Sequence, residues 1–485
     1  MPRSARRFGK SGDPFDLARR TWDVIHIPVP TRLPALGRLS TKSGFKVCGA
    51  ILLASSAVAL FGQLQRPPAA SAPTVVPSAP VETPGDRTRR LALAPVAGAA
   101  EIDAQIRGAA HAAQKLPRKS ELWVALGQLW IRKARETSDP GYFINARACA
   151  DVALELEPDN RLALDLHALV LLNDHEFADA RAVAQRILSR DPDAATAWGT
   201  LSDAELELGD VNAAADAAQK MLALKPNLPS YSRAAHLSWL HGHERAALEL
   251  ARLAIGAAGG PADREPRAWM LVQTAMLFWH RGDYDGADAG FGSALDVMRD
   301  YPPALVGRGR VSAARGDLRR AAALFEQAFR KSPLVETAWL WGQALELAGD
   351  AAAAERAYAA AVRQGEVHDR RALSLMYSTR NVQADDALRL ARAERAVRGD
   401  PYTEDALAWA LYRHGKFDEA RAASDRACAL GTRDARLLFH QGAIRIAQGR
   451  AGEGRARVRA ALQQNPKFDL IEAAEAERLL AEVRP

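Results

Sequence analysis

Several small groups of residues are of the types that do chemistry. Gly9-Lys10-Ser11 has the ending of a phosphate-cradling loop, in which backbone N–H groups and a lysine hold a nucleotide's phosphates. Ser4 stands where the first glycine of such a loop belongs, and no strand-like run precedes it. His236, His241 and His243 are near enough in sequence to be weighed as metal ligands. The last two flank Gly242 and read better as exposed turn histidines. Cys149 and Cys428 lie far apart and read as small buried apolar residues, and three cysteines in all exclude a disulfide framework or a cysteine-built zinc domain. Asp385-Asp386 is a carboxylate pair, yet acid–base work needs groups converging from separate elements. Neither HExxH nor GxSxG occurs. The expectation is a chain that is not an enzyme, with no catalytic residues, no metal and no cofactor.

The elements that would position any site are helices. Of 485 residues, 48% are hydrophobic, 25% charged and only 6% aromatic, and alanine is abundant, which favours helix over sheet. A glycine followed five residues later by alanine recurs as Gly209/Ala214, Gly242/Ala247, Gly282/Ala287, Gly316/Ala321, Gly349/Ala354 and Gly415/Ala420. Gly449 continues the series, with Gly454 in place of its alanine. Pro158, Pro192 and Pro226 fall 34 residues apart, and Pro333 and Pro466 repeat the mark, while Trp123, Trp198 and Trp339 open units.

This pattern resembles the tetratricopeptide-repeat family, whose unit is a helix–turn–helix of 34 residues. The resemblance implies an all-α fold, a right-handed α-solenoid of about nine to ten repeats, with residues 366–401 a degenerate unit lacking the turn glycine. It also implies that the first helix of each unit lines a concave groove, where partners are bound. The family's contact positions then fall on Trp239 in the fourth repeat, beside His236, and on Trp269, Met276 and Trp279 in the fifth. In the ninth they fall on Tyr402, Asp405, Trp409 and Tyr412, and in the tenth on Arg436 and Phe439. Aromatic residues and arginine are enriched at binding hot spots. The same bulky stripe can equally fill the space between neighbouring repeats, as is expected of Trp198 and Trp339. The lysine of the chaperone-binding carboxylate clamp is missing from every matching position, so that specialisation is excluded.

Outside the repeats the charge is uneven. The net charge is +7, and residues 1–46 alone carry ten Lys/Arg against three Asp. The body is therefore neutral, which argues against nucleic acid as a partner. Residues 47–64 (VCGAILLASSAVALFGQL) are apolar for about 27 Å of helix, at the short end for a bilayer core. Arg32, Arg38, Lys42 and Lys46 precede this run and Arg66 alone follows closely, an asymmetry that keeps the N-terminus cytoplasmic. A cleaved signal peptide, with Ala57-Val58-Ala59 as its site, and a buried core helix are the competing readings. The expected organisation is a basic cytoplasmic tail (1–46), a transmembrane signal anchor (47–64), a Pro/Ala-rich linker (65–100), the repeat solenoid (101–466) and a solvent-facing capping helix (467–485). The expected function is a non-catalytic adaptor in the inner membrane of a Gram-negative-type bacterium. Its repeats would be periplasmic and hold a protein or peptide in envelope assembly or export. The alternative is a glycan-binding accessory subunit of a polysaccharide export machine. Association of like chains is left open.

Overall fold

Seven of the recurrent glycines, Gly209, Gly242, Gly282, Gly316, Gly349, Gly415 and Gly449, take positive φ and end the first helix of their pairs. At four of these turns the next residue is Asp210, Asp283, Asp317 or Asp350, whose carboxylate accepts a backbone N–H three residues on and so starts the second helix. The computed structural model describes residues 83–260 and 264–482. The tail with Gly9-Lys10-Ser11, the 47–64 segment and residues 483–485 lie outside the described residues. No helix among those described is long and apolar enough to cross a membrane.

Among the described residues twenty-three α-helices follow one another, α1 (Pro84–Ala92), α2 (Glu101–Lys115), ten antiparallel pairs from α3 to α22 (Ala451–Gln464), and α23 (Glu472–Glu482). The first members of the pairs are α3 (Ser120–Thr137), α5 (Arg161–Asn173), α7 (Ala195–Leu208), α9 (Leu228–Leu240) and α11 (Arg264–His280). They continue as α13 (Pro302–Ala314), α15 (Val335–Leu347), α17 (Arg370–Thr379), α19 (Pro401–Arg413) and α21 (Ala435–Ala447). The degenerate eighth pair turns through Asn381, which takes positive φ in place of the absent glycine. The recurrent alanines explain the close packing within pairs, since Ala214, Ala247, Ala287, Ala321 and Ala420 are completely buried. Gly454 departs from alanine for a steric reason. A β-carbon there would lie 2.6 Å from the carbonyl oxygen of Gly442 on the facing helix.

Two expectations need correction. The Pro/Ala-rich linker does not extend to residue 100, because residues 84–92 form α1, capped by Thr83 and docked on the first pair. The Trp130 indole donates to the Ala92 carbonyl (3.0 Å) and Asn145 to that of Leu91 (2.8 Å), which anchors the helix despite its polar surface. The segment after Pro466 faces solvent on one side only, through Ala474, Glu477, Arg478, Ala481 and Glu482. Phe468, Asp469, Glu472, Ala473 and Ala476 are buried, and the segment lies along the concave face of the last five pairs.

The solenoid closes on itself after one superhelical turn. Polar contacts join residues 181 to 194 positions apart, about five and a half repeats of 34. Arg398 pairs with Glu207, the Gly399 N–H donates to the Glu207 carbonyl (2.7 Å), and Thr432 donates to that of Leu240 (2.5 Å). Asn465 donates to the Trp279 carbonyl (2.8 Å) and accepts from the Tyr284 hydroxyl (2.7 Å). Backbones touch where glycines meet across this seam, and a β-carbon on Gly242 (φ +73°) would sit 2.6 Å from the Gly431 carbonyl oxygen.

Gly349→Ala serves as the control, because Gly349 has φ +88° and open space around it. That variant should lose only the left-handed penalty, about 1–2 kcal/mol. Gly242→Ala should lose at least about 1 kcal/mol more, because the seam must part as well. Urea unfolding of both variants reads the difference, and equal losses would show that the seam contributes nothing to stability.

Candidate functional site

Closing the superhelix turns the concave groove of the early repeats into a cavity of about 1180 Å³. Its wall comes from α5, α7, α9 and α11, and one turn further on Glu336, Arg371 and Tyr402 face it from α15, α17 and α19. Trp269 on α11 is 39% exposed although it is a tryptophan on an inner face. Met221, Met270 and Met276 lie around the same space and give it a soft apolar side that can adapt to different shapes. The same wall also carries ion pairs. Arg233 grips Asp203 with two hydrogen bonds (2.8 and 2.5 Å), and Glu336 holds Arg310 (2.5 Å).

His236 retains accessible surface yet is surrounded by protein, so it looks into the cavity rather than out to bulk water. Desolvation lowers its pKa, with Asp203 and Asp400 acting in the opposite sense. The imidazole is therefore neutral at pH 7 and offers one donor and one acceptor. Glu336 is held below the usual carboxylate range because Arg310, Arg436 and Arg371 together outweigh its burial. His241 does not join His236, since its ring contacts the Leu237 carbonyl (2.8 Å) and stacks beside His243. No group of three metal-ligating side chains occurs among the described residues. Burial raises the thiol pKa of both described cysteines, that of Cys428 to about 12, which leaves them unreactive.

Four of the ten residues expected to bind a partner line this cavity, namely Trp239, Trp269, Met276 and Tyr402. Trp239 is almost wholly buried, donates to the Tyr402 hydroxyl (3.1 Å) and packs on His280, so it braces the wall across the seam. Trp279 is also buried, against Tyr284, and borders a separate space of about 260 Å³ lined also by Phe468 and Leu470.

The remaining five are brought together elsewhere, and most of them as core. Trp409 and Phe439 have no exposed surface and are not available to a ligand. Trp409 stacks on His440 (3.9 Å between centroids) and on Tyr412 (4.7 Å). Asp405 is buried and accepts from His440 (2.9 Å), while Arg436 pairs with Asp469 (3.1 Å). The groove they were expected to offer a partner is filled by the chain's own residues 466–482.

A tetratricopeptide-repeat family profile matches residues 166–229, 306–368 and 406–468, each spanning parts of two adjacent helix pairs. These stretches of the chain are tetratricopeptide repeats.

Among solved structures, the repeats are similar to one in the APC/C hetero-tetramer Cut9–Hcn1 at 16% identity and a TM-score of 0.41. That match covers 81% of this chain, which spans only 62% of the other. The human IFIT1 dimer with PPP-AAAA is similar at 14% identity over 78% of this chain and 94% of that one, with a TM-score of 0.44. PilW, a widely conserved type IV pilus biogenesis factor, is similar at 17% identity over 41% and 90%, with a TM-score of 0.36. Likenesses this distant carry nothing about function. No curated protein matches the sequence significantly.

Sequence reasoning missed Arg233, Asp203, Glu336 and Arg371. Charged residues on a helix face read as solvated, and what turns these inward is the superhelical closure. The only signals for that closure are Gly399 and Gly431, two glycines outside the turn series that meet the seam.

Proposed function

We propose that this repeat protein is a non-catalytic scaffold that holds an extended stretch of a protein partner in the cavity between α7, α9 and α11. The observation that carries the reading is Trp269, a large apolar side chain left exposed on an inner wall that also offers neutral His236 and the Arg233–Asp203 pair. An extended peptide needs this combination, an apolar anchor beside groups that can meet its backbone N–H and C=O. The finer reading places the scaffold at the inner membrane through residues 47–64, with the repeats periplasmic, in envelope assembly or export. It rests on the basic tail and the apolar run. A reporter fused after Pro485 that behaves as cytoplasmic would overturn that orientation.

The test is a photo-crosslinking residue at Gln273 in the full-length protein, in native membranes, with and without Trp269→Ala. Trp269 is a wall residue rather than core, so the variant should melt within about 0.5 kcal/mol of wild type while adducts to one partner fall at least tenfold. An unchanged adduct pattern would sink the assignment. The exposed indole also favours the second reading, in which a sugar ring stacks on Trp269. Quenching of tryptophan fluorescence by oligosaccharide, lost in Trp269→Ala, would select it.

A further inference from the structure

The segment after Pro466 lies on the inner face of the last five repeats, and the surface beneath it grips charge. Asp469, Glu472 and Glu475 follow at three-residue spacing and meet three cations projecting from two neighbouring helices. Asp469 pairs with Arg436 (3.1 Å), Glu472 with His440 (3.2 Å) and Glu475 with Arg413 (2.7 Å). Thr379 donates to Glu472 (2.6 Å) from α17. Phe468 fills an apolar recess against Phe439 (5.6 Å between centroids). The fit is loosest at its centre, where the second oxygen of Glu472 and the Nε of Arg436 face each other at 3.5 Å as an ion pair without a hydrogen bond. Removing one partner of a buried ion pair is costly, whereas exchanging the whole acidic segment for one that brings the same groups restores every pair. A peptide in trans must still overcome the covalent attachment of the resident segment, so it binds once that segment is weakened.

We propose that this basic concave surface is a second binding site, separate from the cavity, for an acidic helical peptide of a partner protein, and that residues 466–482 occupy it until displaced. The chemistry it selects is that of its present occupant: an aromatic residue, then carboxylates one, four and seven positions later, as in Phe468, Asp469, Glu472 and Glu475. Charge complementarity on both sides of the contact, rather than an apolar face alone, defines the occupant.

The test uses the full chain and a labelled peptide of residues 466–482 added in trans, read by fluorescence anisotropy. Phe468→Ala/Glu472→Ala weakens the resident segment, so this variant should bind the peptide at least tenfold more tightly than wild type. A charge-scrambled peptide should not bind, and adding His440→Leu should abolish the gain. Equal affinity for both proteins with the repeats folded would overturn the proposal. Equal binding of the scrambled peptide would also overturn it, as would a concentration-dependent dimer formed by exchange of the segment between copies. If the double variant loses its cooperative melt, Glu475→Ala removes only the outermost pair. Hydrogen exchange of residues 472–482 should then quicken at least fivefold while that of α21 is unchanged, and unaltered exchange in α23 would overturn the displaceable segment.

Discussion

Trp409→Ala should destabilise the protein by about 3–5 kcal/mol, the range for deleting a fully buried large aromatic. Nothing of the indole reaches solvent. Its two faces are used, one stacked on His440 at an interplanar angle of 11° and the other on Tyr412 at 7°. Phe439 meets it edge-on at 5.5 Å, and the Arg413 guanidinium stands 4.4 Å from the ring centroid. Truncation would leave a void between α19 and α21 and strip a π-face from a charged imidazole. Urea unfolding followed by far-UV circular dichroism should therefore show an earlier midpoint, while Trp269→Ala, on the wall of the cavity, leaves it nearly unchanged. Partner capture by Trp409→Ala is to be compared only where both proteins are folded, and there it should be unaffected. A variant that melts like wild type yet loses its partner would return Trp409 to the binding surface.

Trp409 and Trp269 also show what the sequence could tell and where it stopped. Local rules were legible throughout the repeats. The turn glycines take the backbone conformation that favours glycine, and the alanines five residues later are buried. Both depend only on neighbours within one pair. Groove positions are not local in that sense. Trp409 and Trp269 lie on the same kind of helix, and the register that marks both is shared by ligand contacts and by side chains filling the superhelix. Superhelical closure decides between them by bringing residues some 190 positions apart into contact, for which the sequence carries no periodic signal. The segment after Pro466 misleads for a related reason. Its acids look like a solvated face, and only the cations of α19 and α21, far back in the chain, turn that face inward. The helix α1 was hidden by its composition, since Pro84, Pro95 and nearby small residues read as tether. Thr83 caps it and Trp130 receives it.

The contribution of His440 to stability should fall as pH rises from about 6.5 to 9. Burial alone would push its pKa down, but Asp405 and Glu472 outweigh it and hold it at about 9. A histidine raised in this way stabilises the fold fully below its unfolded value of about 6.5, and the contribution disappears as pH climbs through the folded value. The contribution is on the order of 3 kcal/mol. Glu472 works at the other end. His440, Arg436 and the Thr379 hydroxyl overcome its burial and hold it at about 2, so its contribution is present above about pH 4.5 and lost as pH falls toward 2. The contact between α23 and the repeats is thus strongest between about pH 4.5 and 6.5. Urea midpoints should decline for wild type between pH 7.5 and 9, above the range in which His167, His175, His236, His241 and His280, whose pKa values burial lowers, add stability as pH rises. His440→Leu should lose the decline specific to this residue, and at pH 7 it should already be destabilised by about 3–5 kcal/mol, because Asp405 and Glu472 are left buried without their shared cation. If wild type and His440→Leu keep the same pH slope, His440 is neutral in the folded protein, and the acidic segment is held by Arg436, Arg413 and Thr379 alone.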